Sequence, residues 1–263
     1  MRPYLFDLVI AGHHLRPPSY GLMLAISFSF AYFEALRRAA KLKEDPKHIE
    51  NLFLLVVVGS ILGSRLFHVI FEDFAYYAAH PLRIFAVWEG GYTFYGAVLM
   101  ATLFIFLYCR KQKIDFLQFA DISTPAASLG LFFGRIGCFL AGCCWGRPTT
   151  MPWGVSFNDP DTFAAVRGVP VHPTQLYESF GALLLYFYLL VRFKSRKYIG
   201  QIFFEGLAIY SLLRFGIEYF RGDDYRGYVL GGHISYSQLV SLFILPFAVG
   251  GMILYHRKNR VEN

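Results

Sequence analysis

The sequence is short of charge. Asp, Glu, Lys and Arg supply 16% of its 263 residues, against roughly a quarter in soluble globular proteins. That shortfall argues against an ordinary cytosolic domain. Lysine is missing from all but four short segments, 37–47, 110–113, 192–197 and 256–260. Internal repeats, low-complexity tracts and a separate soluble domain are missing too, and no stretch near the N-terminus has the arrangement of a cleavable signal peptide. Cysteine is scarce: four in all, three of them at 138, 143 and 144.

Apolar residues fill the space. AVILMFWYC residues make up 56% of the chain, with 28 Phe and 18 Tyr, and the mean hydropathy is +0.42. Seven stretches are long and apolar enough to cross a bilayer, which takes about 20 helical residues. They lie at 18–37, 51–71, 92–109, 116–139, 174–193, 199–220 and 234–256. A shorter apolar piece at 81–90 reads as interfacial or re-entrant. The expectation is one all-α integral membrane domain over 1–263, with seven transmembrane helices and a single sizeable excursion at about 146–173.

Charge orients these helices. The chain carries 25 Lys and Arg against 18 Asp and Glu, a net +7. Fifteen of the basic residues, including every lysine, fall in the segments after the first, third, fifth and seventh stretches. Basic loops stay on the cytoplasmic side, so the N-terminus is expected outside and the C-terminus in the cytoplasm. The excess charge therefore reports orientation and gives no reason to invoke nucleic acid.

Ionisable groups inside the apolar stretches are costly unless paired or hydrated. Here they are Arg65, Asp121, Arg135, Glu178, Glu205, Arg214, Glu218 and Arg221. Tyr210, Arg214, Glu218 and Arg221 are spaced four, four and three apart, which places them on one helical face. Arg65 with His68, Tyr95 with Gly96, Arg135, and His172 with Gln175 and Glu178 fall at the outer ends of other stretches. Asp121 and Glu205 fall at inner ends. Such groups also serve as plain interhelical contacts. Arginines 65, 135, 214 and 221 nevertheless outnumber Glu178 and Glu218. Surplus buried guanidinium calls for an anion, and its planar fork suits phosphate. An anionic phospholipid head group in the outer leaflet fits that requirement.

The segment GRIGCFLAGCCWGRPT (134–149) reads as a helix end breaking into a structured, glycine-rich loop, with Gly134 and Gly137 allowing close helix approach. Together with WEGGYTFYGA (88–97), HPTQLYE (172–178) and YSLLRFGIEYFR (210–221), it resembles the prolipoprotein diacylglyceryl transferase family. The four motifs occur in order along the whole chain. The resemblance implies a bacterial cytoplasmic (inner) membrane enzyme, without a cofactor, whose active site faces the outer leaflet. It implies transfer of a diacylglyceryl group from phosphatidylglycerol to the lipobox cysteine of a prolipoprotein signal peptide. It also implies catalytic roles for Arg135, Arg214 and Tyr210. Tyr95, Gly96, Arg65, His172, Gln175, Glu178, Glu218 and Arg221 would surround the substrate.

The chain departs from the family pattern at three positions. Tyr95 stands where His is common, Cys138 where Asn is usual, and Cys143 where a polar residue such as Glu is common. A phenol near pKa 10 is a poor resting base, so Tyr95 is expected to contact the head group or act as a weak acid or base. Cysteines 138, 143 and 144 read as small packing residues, with a disulfide as the next option. Metal binding comes last, because C-x4-C-C is not a usual zinc spacing. Two further alternatives stay open: a family member with another acceptor, and a non-catalytic protein that binds or transports anionic lipid.

Overall fold

A computed structural model describes residues 2–10, 13–86, 90–91, 93–223 and 227–261. Trp88, Glu89 and Tyr92 of the glycine-rich motif, and Arg226 of an outer loop, lie outside the described residues. In chain order the elements are β1 (Leu8–Ile10), β2 (His13–Leu15), α1 (Ser19–Lys41), α2 (Pro46–Phe67) and α3 (Phe74–Ala79). There follow α4 (Phe94–Gln112), α5 (Phe116–Ala141), α6 (Thr174–Lys194), α7 (Gln201–Glu218), β3 (Tyr228–Val229), β4 (Ile234–Ser235) and α8 (Tyr236–Val261). The strands form two small antiparallel ribbons, β1 with β2 and β3 with β4.

Each of the seven expected stretches falls on a helix. Among the described residues, five are long and apolar enough to cross a membrane: 19–41, 46–72, 116–141, 174–194 and 236–257. The helices α4 and α7, at 19 and 18 residues, are about 29 and 27 Å long at ~1.5 Å per residue. Their neighbours exceed them because several run past the apolar core into basic ends, as α1 does with Arg38 and Lys41 in its last turn.

The chain groups into two compact units, residues 1–35 with 120–263, and residues 36–119. In the unit 36–119, Asp45 caps α2 by accepting from Lys47 N at 2.9 Å, and Pro46 occupies the first turn, where no N–H is needed. The first turn of helix α2 is then tied to α4 through the Tyr108 hydroxyl, 2.9 Å from both His48 Nδ1 and Asn51 Nδ2. Small residues let these two helices approach closely. A methyl added at Gly63 would meet Gly96 O, and one added at Gly96 would meet Gly63 O and the Phe67 ring. A π-turn, His68–Glu72, extends α2, and residues 81–85 of the expected interfacial piece form a 3-10 turn.

In the other unit, α7 packs against both α6 and α8, and Leu185, Leu189 and Ile202 form the core between α6 and α7. The first turns of α5 and of α7 are joined by Asp121. Fully buried, it accepts from Gly200 N and Phe203 N at 2.9 and 2.8 Å and from Arg196 at 3.2 Å. Glu205 pairs with Arg192 at 2.6 Å and accepts from Gln201. Both intramembrane carboxylates thus have structural partners. The helices still expose large apolar side chains: Phe180, Leu184, Phe187 and Val191 line one face of α6, all more than half exposed. A continuous apolar face of that size suits lipid and not water.

The excursion between α5 and α6 has a core of its own, made by Trp145, Phe157, Ala164 and Val171. Gly142 starts it with φ +83°, a left-handed conformation with Thr162 and Phe157 packed where a side chain would be. Isolated bridges Gly146↔Arg221, Pro148↔Val171 and Val155↔Val171 hold it down.

Candidate active site

The site residues in the unit formed by 1–35 and 120–263 converge from three helices. Helix α5 brings Arg135 in its last two turns, α6 brings Gln175 and Glu178 in its first two, and α7 brings Tyr210, Arg214 and Glu218. Glu178, 1% exposed, is the hub. Its Oε1 lies 2.9 Å from Arg135 Nη2 and accepts the Tyr210 hydroxyl at 2.8 Å. Its Oε2 lies 3.9 Å from Arg214 Nη1. Arg214 also pairs through Nη2 with Glu218 Oε2 at 2.8 Å and donates to Ser237 Oγ on α8 at 3.1 Å. Arg135 Nε, Arg214 Nη1 and Gln175 Oε1 are buried without a hydrogen-bond partner. Buried polar atoms are nearly always satisfied; two of these three are guanidinium donors and the third, Gln175 Oε1, is an acceptor.

The loop that leaves α5 is pinned to the start of α6. Thr174 Oγ1 donates to Cys144 O at 2.7 Å and Gln175 Nε2 to Cys143 O at 2.6 Å. The amide of Gly146 donates to His172 O at 3.0 Å, and Arg147 N to Phe220 O at 2.8 Å. Arg135 Nη1 donates to Cys144 Sγ at 3.7 Å. Hydrogen bonds from Cys138 and Cys143, then the charges of Arg221 and Arg135, hold the Cys144 thiol well below the usual cysteine range, against the opposing cost of burial.

Two expectations need correction. Arg221 does not extend the α7 stripe, because the helix ends at Glu218 and residue 221 lies past it in a bridge to Gly146. Nor is Arg221 surplus charge. Its Nε donates to Asp223 Oδ1 at 2.7 Å and its Nη2 contacts Asp223 Oδ2, both residues being buried. Asp223 was overlooked because it lies beyond the apolar stretch. The signal for it was the R-G-D spacing, which sets acid and base two apart once the chain leaves the helix.

His172 packs on Phe220 and shares a 3.0 Å hydrogen bond with the Tyr177 hydroxyl, which accepts Trp153 Nε1 at 2.8 Å. These residues, with Met151, Leu213 and Phe220, line an apolar cavity of about 560 Å³.

Arg65, His68, Tyr95 and Gly96 belong to the unit 36–119. The buried Arg65 spends its nitrogens on backbone carbonyls: Nε on Ile84 O at 3.0 Å, Nη1 on Gly90 O at 2.5 Å and Nη2 on Arg83 O at 2.6 Å. It therefore ties residues 83, 84 and 90 to α2. His68 Nδ1 lies 2.6 Å from Glu72 Oε2, and Gly96 sits at the α2–α4 crossing, while Tyr95 is 43% exposed.

Comparison with known proteins assigns the chain to a family. The family model described as prolipoprotein diacylglyceryl transferase matches residues 8–255. This chain belongs to that family. Three relatives bear the name phosphatidylglycerol–prolipoprotein diacylglyceryl transferase. The one from Geobacter sulfurreducens is 37% identical over 258 residues, covering 95% of this chain and 96% of the relative. That from Nitratidesulfovibrio vulgaris is 35% identical over 249 residues, covering 92% and 90%. That from Clostridium tetani is 36% identical over 250 residues, covering 95% and 96%. All three prolipoprotein diacylglyceryl transferases align with nearly the full length of this chain.

Proposed function

We infer that this chain transfers the diacylglyceryl group of phosphatidylglycerol to the lipobox cysteine thiol of a prolipoprotein, forming a thioether and releasing glycerol phosphate. One observation carries the reading: Arg135 and Arg214 are both held against the buried Glu178, and each keeps a buried donor without a hydrogen-bond partner. A phosphodiester placed there would accept from both donors. As the thiol sulfur bonds to the glyceryl carbon, the carbon–oxygen bond to phosphate breaks and charge collects on the departing phosphate. The thiol proton passes to that phosphate. Fixed guanidiniums in a water-poor site stabilise the developing charge far better than solvent does. Glu178 positions both arginines, and Tyr210 fixes the carboxylate. Glu218 and Ser237 set the fork of Arg214. The apolar cavity beside His172 suits an acyl chain of the lipid.

In this reading seven helices span the bacterial cytoplasmic membrane, with α4 and α7 among them. The N-terminus lies outside and the C-terminus in the cytoplasm, as the confinement of lysine to alternate segments supports. Arg135, Glu178 and Arg214 then lie towards the outer leaflet, where a signal-peptide cysteine arrives.

The test uses purified protein, phosphatidylglycerol and a lipobox peptide, with the diacylglyceryl thioether and glycerol phosphate both measured. Wild type yields the two in equal amounts, while Arg214→Ala yields neither and keeps its helical content. Thioether formation by Arg214→Ala at the wild-type rate would overturn the assigned chemistry.

A further inference from the structure

The transfer reaction makes no use of the enzyme's own cysteines, since the acceptor thiol arrives with the substrate. Yet the fold gathers three of the four. The sulfurs of Cys138, Cys143 and Cys144 all lie within 4.8 Å of one another. Sequence spacing hides this, because C-x4-C-C is not a common metal signature. The backbone supplies what the spacing lacks. Cys138 sits in the last turn of α5, Gly142 takes φ +83°, and Cys144 itself takes φ +60°. These two left-handed residues fold the chain back so that both later thiols face the first. Cys144 is a non-glycine residue in that conformation, which is uncommon. It is held there by Thr174 and Gln175, which bind the carbonyls of residues 144 and 143.

We propose that Cys138, Cys143 and Cys144 form a binding site for a thiophilic d10 cation of the Zn2+ or Cu+ type, built at the junction of α5 and the following loop. Metal–sulfur bonds of about 2.3 Å set three sulfurs around one ion about 4 Å apart, within the 4.8 Å that bounds the separations in this cluster. Thiolate ligands select such soft cations over Mg2+ and Ca2+. Binding releases the thiol protons to solvent and leaves a centre of net negative charge, because three thiolates outweigh one or two positive charges. One cationic donor already lies against the cluster: Arg135 Nη1 donates to Cys144 Sγ at 3.7 Å. A disulfide would use two sulfurs and strand the third, whereas an ion uses all three. Cys109, the fourth cysteine, lies buried in the last turns of α4 in the other compact unit and takes no part.

The full-length protein, reduced and held in detergent without oxygen, is titrated with Cd2+. The expected result is one equivalent bound, with a thiolate-to-metal charge-transfer band. Zn2+ and Cu+ in separate arms compete for that band, and competition by neither would overturn a physiological role for the site. Cys138→Ser, Cys143→Ser and Cys144→Ser each weaken binding by at least tenfold, and Cys109→Ser leaves it unchanged. Thiol counting gives a readout on the unaltered folded chain: bound Cd2+ protects Cys138, Cys143 and Cys144 from alkylation, while the buried Cys109 does not change its reactivity. Retention of the band in the triple serine variant would overturn the proposal. So would a disulfide among the three cysteines in protein whose thiols are trapped as cells are harvested.

Discussion

Arg135 Nη2 lies 2.9 Å from Glu178 Oε1, on the oxygen that also receives the Tyr210 hydroxyl. One carboxylate thus fixes a guanidinium from α5 and a phenol from α7. Breaking a buried ion pair from one side costs roughly 3–5 kcal/mol, because the other charge is left without compensation. Glu178→Ala strands Arg135 and deprives Arg214 of a neighbour, so thermal unfolding in detergent is expected to shift well below wild type. Glu178→Gln keeps the volume and one acceptor oxygen. Its unfolding shifts less, yet transfer falls by roughly a hundredfold because the charge shared by both arginines is gone and an amide N–H now faces one of them. Equal transfer rates for Glu178→Gln and wild type would remove Glu178 from its positioning role.

Tyr210→Phe deletes only the hydroxyl. A hydrogen bond to a charged group contributes roughly 1.5–3 kcal/mol, so transfer is expected to fall about tenfold or more while helical content is unchanged. Because Tyr210 touches Glu178 and Glu178 touches Arg135, the losses in Tyr210→Phe and Glu178→Gln overlap. The double variant is expected to be little worse than Glu178→Gln alone, and fully additive losses would show that the two act separately.

Asp223 gives a contrasting case. It neutralises Arg221 at the point where the 146–173 excursion meets the end of α7. Asp223→Ala leaves a buried guanidinium unpaired, and stability is expected to drop by roughly 3–5 kcal/mol. Arg221→Met with Asp223→Leu, which removes both charges, is expected to recover much of that loss. Proteolysis within 146–173 is the sensitive measurement, since that bridge holds the excursion down.

The helices were legible in the sequence because their signal is local: apolar runs near 20 residues fix all seven long helices, and ends shift by a few residues where basic side chains continue the helix. The cluster of Arg135, Glu178, Tyr210 and Arg214 was legible in part, because ionisable residues in apolar runs stand out and their spacing gives a face. Which charges pair was not. Arg65 looked equal to Arg135 by burial and depth, yet it binds three backbone carbonyls, a partner set that leaves no trace in side-chain pattern. Asp223 escaped notice for the opposite reason, lying in a polar segment where a carboxylate draws no attention. The three sulfurs met through two positive φ angles, and only Gly142 announces such an angle by its identity.

The ribbon β1–β2 carries a pH dependence. Hydrogen bonds from Arg16 and then His14 hold the Asp7 carboxyl below its ordinary value. A carboxylate lowered in the folded state contributes order above the ordinary carboxylate pKa, and that order is lost as pH falls through the lowered value. Amide protection factors across the two strands, with the intrinsic pH dependence of exchange divided out, are therefore expected to be modestly higher at about pH 6 than at about pH 3. Asp7→Asn should flatten the difference, and an unchanged pH dependence in that variant would assign the effect elsewhere.

Neighbours at the start of α4 separate packing from contact with substrate. Gly96 is buried against Gly63 and Phe67, whereas Tyr95 is 43% exposed on the adjacent position. A methyl at Gly96 has no room without moving the α2 backbone, and overpacking of this kind costs roughly 1–3 kcal/mol. Gly96→Ala is thus expected to lower the unfolding temperature and to reduce transfer only in proportion to the protein that remains folded. Tyr95→Phe removes only a hydroxyl from a part-exposed ring, and its unfolding temperature is measured beside its transfer rate. Any loss of transfer in Tyr95→Phe at an unchanged unfolding temperature belongs to the substrate step, read as a rise in KM for phosphatidylglycerol if the phenol contacts the head group. A fall in kcat at constant KM would instead assign the hydroxyl to proton transfer, the one role in which a tyrosine could stand in for the histidine common at this position in the family.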